Sequence, residues 1–250
     1  TMKELLEQDK ILFGEDETKI IELKVYAKDY QEKLPSVIEL DGRTGSYDLK
    51  ALFPDSKRLF NNPKPVKFLN SFFPFVLDNN DIVLDFFAGS CSTAHAILEL
   101  NQKDNGNRKF ICSQLPESCD IKSEAYKAGY RNISDLAKER IIRVIKKIES
   151  EQETEKKAKA GKLDFGNEKE VAKLDLGFKV FKLQSSNFKI WRGNKFDNGE
   201  QLEKQLDAFT DPTKESSEEE NMLYELLLKS GFDLNSTIEH KENNYVINGG

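Results

Sequence analysis

The run from Asp81 to Asn101 constrains this chain more than any other part of it. Ile82 to Phe87 is apolar apart from Asp85 and enters a turn of small residues, Ala88-Gly89-Ser90-Cys91-Ser92. From Thr93 the spacing becomes helical, with Ala94, Ile97 and Leu98 on one face. A buried strand, a glycine turn and a helix form the first half of a β–α–β unit, where nucleotide-like cofactors bind at the carboxyl end of the strand. A second strand, Lys109 to Leu115, ends in Pro116-Glu117. A carboxylate at that point is placed to accept both hydroxyls of a ribose. The pattern specifies an α/β fold with a cofactor site and leaves the cofactor open.

Five blocks, in order, resemble one family. They are Asn62-Pro-Lys-Pro-Val66, Asp85-Phe-Phe-Ala-Gly-Ser90, Asn107 to Glu117, Gly129 to Arg140, and Gly177 to Trp191. Together they are similar to the modification (Mod) subunit of type III restriction-modification systems over residues 40–250. The resemblance implies an S-adenosylmethionine-dependent DNA adenine-N6 methyltransferase of the permuted class, in which the catalytic motif precedes the cofactor motif. It implies a Rossmann-like methyltransferase fold, here partial, with a C-terminal α+β extension. DNA, the restriction (Res) subunit and a second copy of the chain are the implied partners, in the cytoplasm.

The sequence departs from the family pattern twice. No Pro-Pro pair occurs, so the Asp-Pro-Pro-Tyr catalytic motif is absent and no catalytic residue is assigned. We therefore read the chain as the C-terminal, cofactor-binding portion of a methyltransferase. The glycine turn departs as well: the family has Phe-x-Gly-Ser-Gly, and Cys91 stands at the last position. A cysteine there is expected to place a side chain in the path of the adenosyl group, and at φ > 0 it is strained where glycine is not.

The cofactor-binding candidates follow from this resemblance. Asp85, Gly89, Ser90 and Cys91 shape the turn. Phe87 packs on the adenine or fills the sheet core, and Gln114 lines the adenine pocket. Glu117 holds the ribose. Lys64 and Pro65 sit at a helix start, where the family block receives the methionine end. The alternative for Lys64 and for Glu117 is a solvent-facing charge in a loop. An NAD site needs Gly-x-Gly-x-x-Gly, but Cys91 and Ala94 occupy the second and third glycine positions. The remaining alternative is a non-catalytic subunit or fragment that acts in assembly of the restriction-modification complex.

Charge and composition narrow the class further. A net charge of −6 is wrong for a chain that grips DNA unaided. Residues 131–147 are locally basic, with six Lys/Arg against two Asp/Glu, and 199–225 are strongly acidic. The basic stretch faces DNA phosphates or is a solvated helix face. No apolar run approaches the roughly 18 residues of a membrane span. The three cysteines and two histidines lack metal-ligand spacing, so no metal is assigned.

Along the chain, residues 1–40 read as a remnant of an upstream region, 41–149 as the cofactor-binding part, 150–161 as a fraying helix end or linker, and 162–250 as an assembly region. Helices are expected over Leu49–Phe53, Val66–Phe75, Ile133–Glu149, Gly199–Phe209 and Glu218–Lys229. In the third, Ile133, Leu136, Ala137, Ile141, Val144, Ile145 and Ile148 form the apolar stripe. Arg140 and the other basic residues are expected off that stripe. Phe178–Leu183 alternates like a strand, and Ser236–Glu239 with Tyr245–Ile247 suggest a hairpin. His95 is read as a packing or capping histidine rather than a general base.

Overall fold

The computed structural model describes residues 1–14, 16, 18, 21–24, 33–160, 174–191, 198–215, 217–242 and 244–249. The chain divides into two units, Thr1–Leu176 and Gly177–Gly250. In chain order the first contains α1 (Met2–Glu7), β1 (Ile11–Leu12), β2 (Glu22–Leu23), α2 (Thr44–Leu52), α3 (Val66–Phe72), β3 (Ile82–Asp85), α4 (Ser92–Asp104), β4 (Lys109–Cys112), α5 (Glu124–Lys127) and α6 (Ile133–Ala160). The second contains α7 (Gly199–Ala208), α8 (Glu219–Lys229), β5 (Ile238–Lys241) and β6 (Asn244–Ile247).

The β–α–β expectation holds in its essentials. Strands β3 and β4 pair in parallel, with Ile82 opposite Lys109 and Asp85 opposite Cys112. Helix α4 connects them, and its Ala94, Ile97 and Leu98 are buried. Both strands are shorter than expected, because the backbone turns away after Asp85 and after Cys112. The first strand is also only half buried. Val83 and Asp85 face inward, and Val83 and Phe110 join a core with Val66, Phe73, Ala96, Ile97 and Leu100. Ile82, Leu84 and Ile111 remain 50–61% exposed. Strand side chains alternate between faces, so helices packed on one face leave the other open. Among the described residues β3 and β4 pair only with each other.

A second core cluster joins Leu49, Phe53 and Leu59 to Ala125 of α5 and Leu136 of α6, which ties α2 to those two helices. Helix α2 begins at Thr44, before the expected start. Gly45 explains why the segment fits: a Cβ there would collide with the carbonyl of Pro63, so only glycine lets α2 pass this close. Asp48 Oδ2 accepts from the Val66 N–H at 2.8 Å and caps α3. The expected helix over 66–75 is present, its last turn tightened into a 3₁₀ helix at Phe73–Phe75. Asn132 caps α6, its side chain accepting from Asp135 N–H at 2.9 Å.

Helix α6 corrects two expectations. It runs to Ala160, so residues 150–160 are helix rather than linker. Their Glu, Lys, Gln and Ala favour helix without needing a buried face. Gln102 donates to Glu151 at 3.0 Å, which fastens this extension to α4. The second correction is Arg140, which is 0% exposed and lies within the stripe of Leu136, Ala137, Ile141 and Val144.

In the second unit the helices and the β5–β6 hairpin are close to expectation. Gly231 follows α8 at φ 77°, the left-handed geometry of a helix-terminating glycine. Phe178–Leu183 is not a strand. Alternation alone cannot make one, because a strand needs a ladder partner for its backbone, and the described residues offer none here. Phe181 instead packs edge-on against Tyr224, and Trp191 against Phe209, each at 5.2 Å between ring centres.

The contrast between the two faces of the sheet unit is measurable. Ile97→Ala, which empties a fully buried site, is expected to cost about 2–4 kcal/mol. Leu84→Ala on the open face is expected to cost well under half of that. Urea unfolding of the two variants checks both.

Candidate functional site

The turn between β3 and α4 is built by hydrogen bonds from both sides. Asp85, at the end of β3, accepts from Phe87 N–H at 3.1 Å and from the Thr93 hydroxyl at 2.6 Å. Its carboxylate therefore bridges the two ends of the turn. Ala88 N–H reaches Ser113 O at 3.1 Å, and Cys91 N–H closes on Ala88 O at 2.7 Å. Gly89 takes φ 51°. A Cβ there would press on the Phe60 ring at 3.3 Å, so glycine also serves the approach of that aromatic.

Cys91 adopts the left-handed conformation, φ 55° and ψ 45°, that a glycine would take without strain. Its side chain does not stand in front of the turn as expected. It is 4% exposed and lies against Cys112 at the end of β4. The hydrogen bond between the two thiols pulls the ionisation of Cys91 below the ordinary thiol range and pushes that of Cys112 up. The bulk of the extra side chain is thus absorbed between sheet and helix.

The other candidates fall into two groups. Gln114 belongs to the turn: its Oε1 accepts the Gly89 N–H at 2.7 Å. Ser90 is buried at 2% exposure, its hydroxyl accepting from Arg140. Phe87 is 83% exposed, so it fills no core formed by the described residues. Leu115 and Glu117 are exposed in the loop after β4. Lys64 is exposed and Pro65 half buried at the start of α3; Phe60, upstream of them, is the residue of that region that reaches the turn. The carboxyl ends of the two parallel strands therefore present an exposed ring, an exposed leucine and an exposed carboxylate beside a tight glycine turn.

Four residues at this site were given no site role from sequence: Arg140, Glu99, Lys147 and Phe60. Arg140 donates from Nη1 to Ser90 O at 3.2 Å, Ser90 Oγ at 2.9 Å and Ser92 Oγ at 2.8 Å. It also approaches His95 Nδ1 from Nε at 3.4 Å and from Nη2 at 3.2 Å. His95 Nε2 in turn bonds Glu99 Oε1 at 3.0 Å, and Lys147 reaches the same oxygen at 3.2 Å. The His95 hydrogen bond, with Lys147 nearby, holds Glu99 down to about 2. The legible signal for Arg140 was its position: it lies three or four residues from Leu136, Ala137 and Val144, where a core residue belongs. For Phe60 no sequence signal exists.

A cavity of about 450 Å³ adjoins this region on the other side of Phe60. Tyr47, Phe53 and Phe60 form its apolar wall, and Arg43, Lys57 and Arg58 its cationic rim. The basic stretch of α6 is largely engaged elsewhere. Arg140 is buried, Arg143 stacks on Phe53 at 4.3 Å, Lys138 pairs with Asp135, and Lys147 pairs with Glu99. Among the described residues no helix is long and apolar enough to cross a membrane, and no cluster of three metal-ligating side chains occurs.

The chain is 53% identical over 147 residues to the Mod subunit of the type III restriction-modification enzyme EcoP15I of Escherichia coli, covering 59% of this chain and 23% of that protein. It is 34% identical over 150 residues to the StyLTI Mod subunit of Salmonella typhimurium, covering 58% and 22%. It is 37% identical over 84 residues to the type II methyltransferase M.KpnI of Klebsiella pneumoniae, covering 34% and 20%. The chain thus spans about a quarter of the length of these relatives. The model of the N6/N4 DNA methylase family matches residues 15–159, starting within the segment set apart above as 1–40. That match takes in more than half of the sequence, with α2 to α6 and the glycine turn inside it, and the chain belongs to the N6/N4 DNA methylase family.

Proposed function

We propose that this chain is the cofactor-binding portion of a DNA adenine-N6 methyltransferase of the type III Mod kind, in a Rossmann-like methyltransferase fold of which β3–α4–β4 is the first β–α–β unit. The observation that carries the proposal is the parallel strand pair with an αL glycine turn at its carboxyl end, in a chain of the DNA methylase family. S-adenosylmethionine, when bound, supplies a methyl group on a sulfonium that the exocyclic amine of adenine can attack.

The residues present fit that group. Gly89 lets the backbone pass close to an adenosyl moiety, and Asp85 with Gln114 keeps the turn in place. Exposed Phe87 and Leu115 offer apolar surface for the base, and exposed Glu117 offers a carboxylate for the ribose hydroxyls. Lys64, held between Pro63 and Pro65, offers a cation for the carboxylate of the methionine end. Ser90 and Cys91 act through the backbone shape, since both side chains are buried.

Transfer itself needs a group that holds the adenine amine next to the methyl carbon, after the base has left the duplex. The sequence has no Pro-Pro motif to do so. The open sheet face at Ile82, Leu84 and Ile111 supports docking of the catalytic half of the enzyme against β3 and β4. DNA and the restriction subunit are partners of the complete enzyme, in the cytoplasm. In the second unit Val180, Leu183, Ile190 and Trp191 are 46–99% exposed, which supports an assembly surface between two copies of the chain.

Calorimetric titration with S-adenosylmethionine or S-adenosylhomocysteine is expected to show binding, and Glu117→Ala to weaken it by about 1–3 kcal/mol through loss of charge-assisted hydrogen bonds. No heat at millimolar ligand would refute the cofactor assignment. The pure chain is expected to incorporate no labelled methyl into duplex DNA above background; measurable incorporation would show that another group replaces the missing motif. Light scattering at tens of micromolar is expected to give a dimer mass, and Leu183→Asp with Ile190→Asp a monomer. A monomeric wild-type chain removes the assembly surface.

A further inference from the structure

The guanidinium of Arg140 is fully buried and spends its donors on one short stretch of backbone and side chain. Three bonds from Nη1 reach Ser90 and Ser92, the residues on either side of Cys91. Arg140 lies on α6, far along the chain from the turn, so the contact is tertiary and independent of the local turn geometry. The turn needs such a hold, because Cys91 sits in a left-handed conformation that strains a non-glycine residue. A leucine or methionine at this point of the stripe would pack without the desolvation cost of a buried cation. What the apolar side chains lack is the directed fork.

The same fork depends on the protonation state of His95. Arginine has only donors, so His95 Nδ1 must accept, and the ring proton lies on Nε2 and points to Glu99. A second proton on the ring would place an N–H against the guanidinium. The charged groups facing His95 are Glu99 from α4 and Arg140 and Lys147 from α6. Burial pushes the imidazole below its ordinary range, against the pull of Glu99 and with the help of Arg140 and Lys147. Arg140 itself is lowered to about 10 by burial, with the charge of Asp48 acting the other way, and stays cationic at neutral pH.

We propose that Arg140 is a positioning residue for the cofactor: through Ser90 and Ser92 it holds the glycine turn in its binding shape, and it does so only while His95 is neutral. The proposal rests on the cofactor reading above. Because His95 titrates lower in the folded state than in the unfolded one, its contribution to turn order is complete above the unfolded value of about 6.5 and is lost as pH falls below it toward the folded value.

Two measurements test this on the whole chain. The first is hydrogen exchange without ligand, read at the Cys91 N–H, bonded to Ala88 O, and at the His95 N–H, bonded to Cys91 O. The second is calorimetric affinity for S-adenosylhomocysteine from about pH 5.5 to about pH 8, across the ordinary histidine range. Arg140→Met is expected to speed exchange at both amides and to weaken binding roughly tenfold or more, the scale of a lost charge-assisted hydrogen bond. Arg140→Lys, a cation without the fork, is expected to restore part of this. Wild-type affinity is expected to fall as pH drops below the ordinary histidine range toward the lowered value of His95. His95→Asn, whose amide oxygen still accepts from Arg140 but cannot titrate, is expected to flatten that fall. Where Arg140→Met does not fold, Ser92→Ala removes one acceptor and is expected to speed the same amides. Unchanged exchange in every folded variant overturns the proposal, as does a pH profile that His95→Asn leaves intact. A wild-type chain that binds no S-adenosylhomocysteine removes the cofactor reading, and exchange alone then decides whether Arg140 holds the turn.

Discussion

A buried guanidinium is costly, and the first unit is arranged so that the cost is offset. Taking an arginine out of water costs several kcal/mol unless its donors and its charge are both satisfied. Arg140 finds four acceptors on α4 and the turn before it, namely Ser90 O, Ser90 Oγ, Ser92 Oγ and His95 Nδ1. Its charge is eased by Asp48 on α2 and by Glu99 on α4. Three helices and the strand-end turn therefore share one electrostatic knot. Asp48 also caps α3, so the start of the Pro-flanked helix is tied to the same group of residues.

Around this knot the packing is one-sided. The inner face of β3 and β4 lies against α3 and α4, while Ile82, Leu84 and Ile111 on the outer face stay 50–61% exposed among the described residues. An amphipathic two-stranded sheet of this kind is unfinished as a folding unit, since stable sheets cover both faces or add strands. The exposed aliphatics on one side are what support the docking of a catalytic half proposed above. In the second unit burial is thinner still: Leu227 is the buried aliphatic of α8, while Leu226 and Leu228 on either side are 50–60% exposed. Aromatic pairs such as Phe181–Tyr224 and Trp191–Phe209 hold it instead.

The turn shows how a departure from a glycine pattern is accommodated. Cysteine at the third turn position keeps the left-handed backbone, and its side chain finds room because Cys112 lies at the facing end of the neighbouring strand. Parallel register brings the two together: Asp85 is opposite Cys112, and the chain then turns directly toward Cys91. Gln114, expected to line a base pocket, accepts the Gly89 N–H through Oε1 and so also braces the turn.

By itself the sequence determined the elements whose signals are local. The β3–turn–α4 unit, the caps at Asn132 and Gly231, and the apolar stripe of α6 all follow from spacing and residue type within a few turns of chain. The candidates Asp85, Gly89, Ser90, Cys91 and Gln114 came from the family resemblance, and the structure gathers them at two adjacent strand ends. Only the tertiary structure decided which charges go inside. Arg140 looked like a solvated residue because hydrophobicity patterns score a cation as polar wherever it falls, and its acceptors lie on a different helix. It also decided that Phe178–Leu183 is no strand and that residues 150–160 continue a helix. In the first case the outcome hangs on a distant partner, a ladder that does not form, and such a partner leaves no mark in local sequence; in the second the helix-favouring composition is local, and the Gln102–Glu151 contact adds a tertiary hold at the start of the extension.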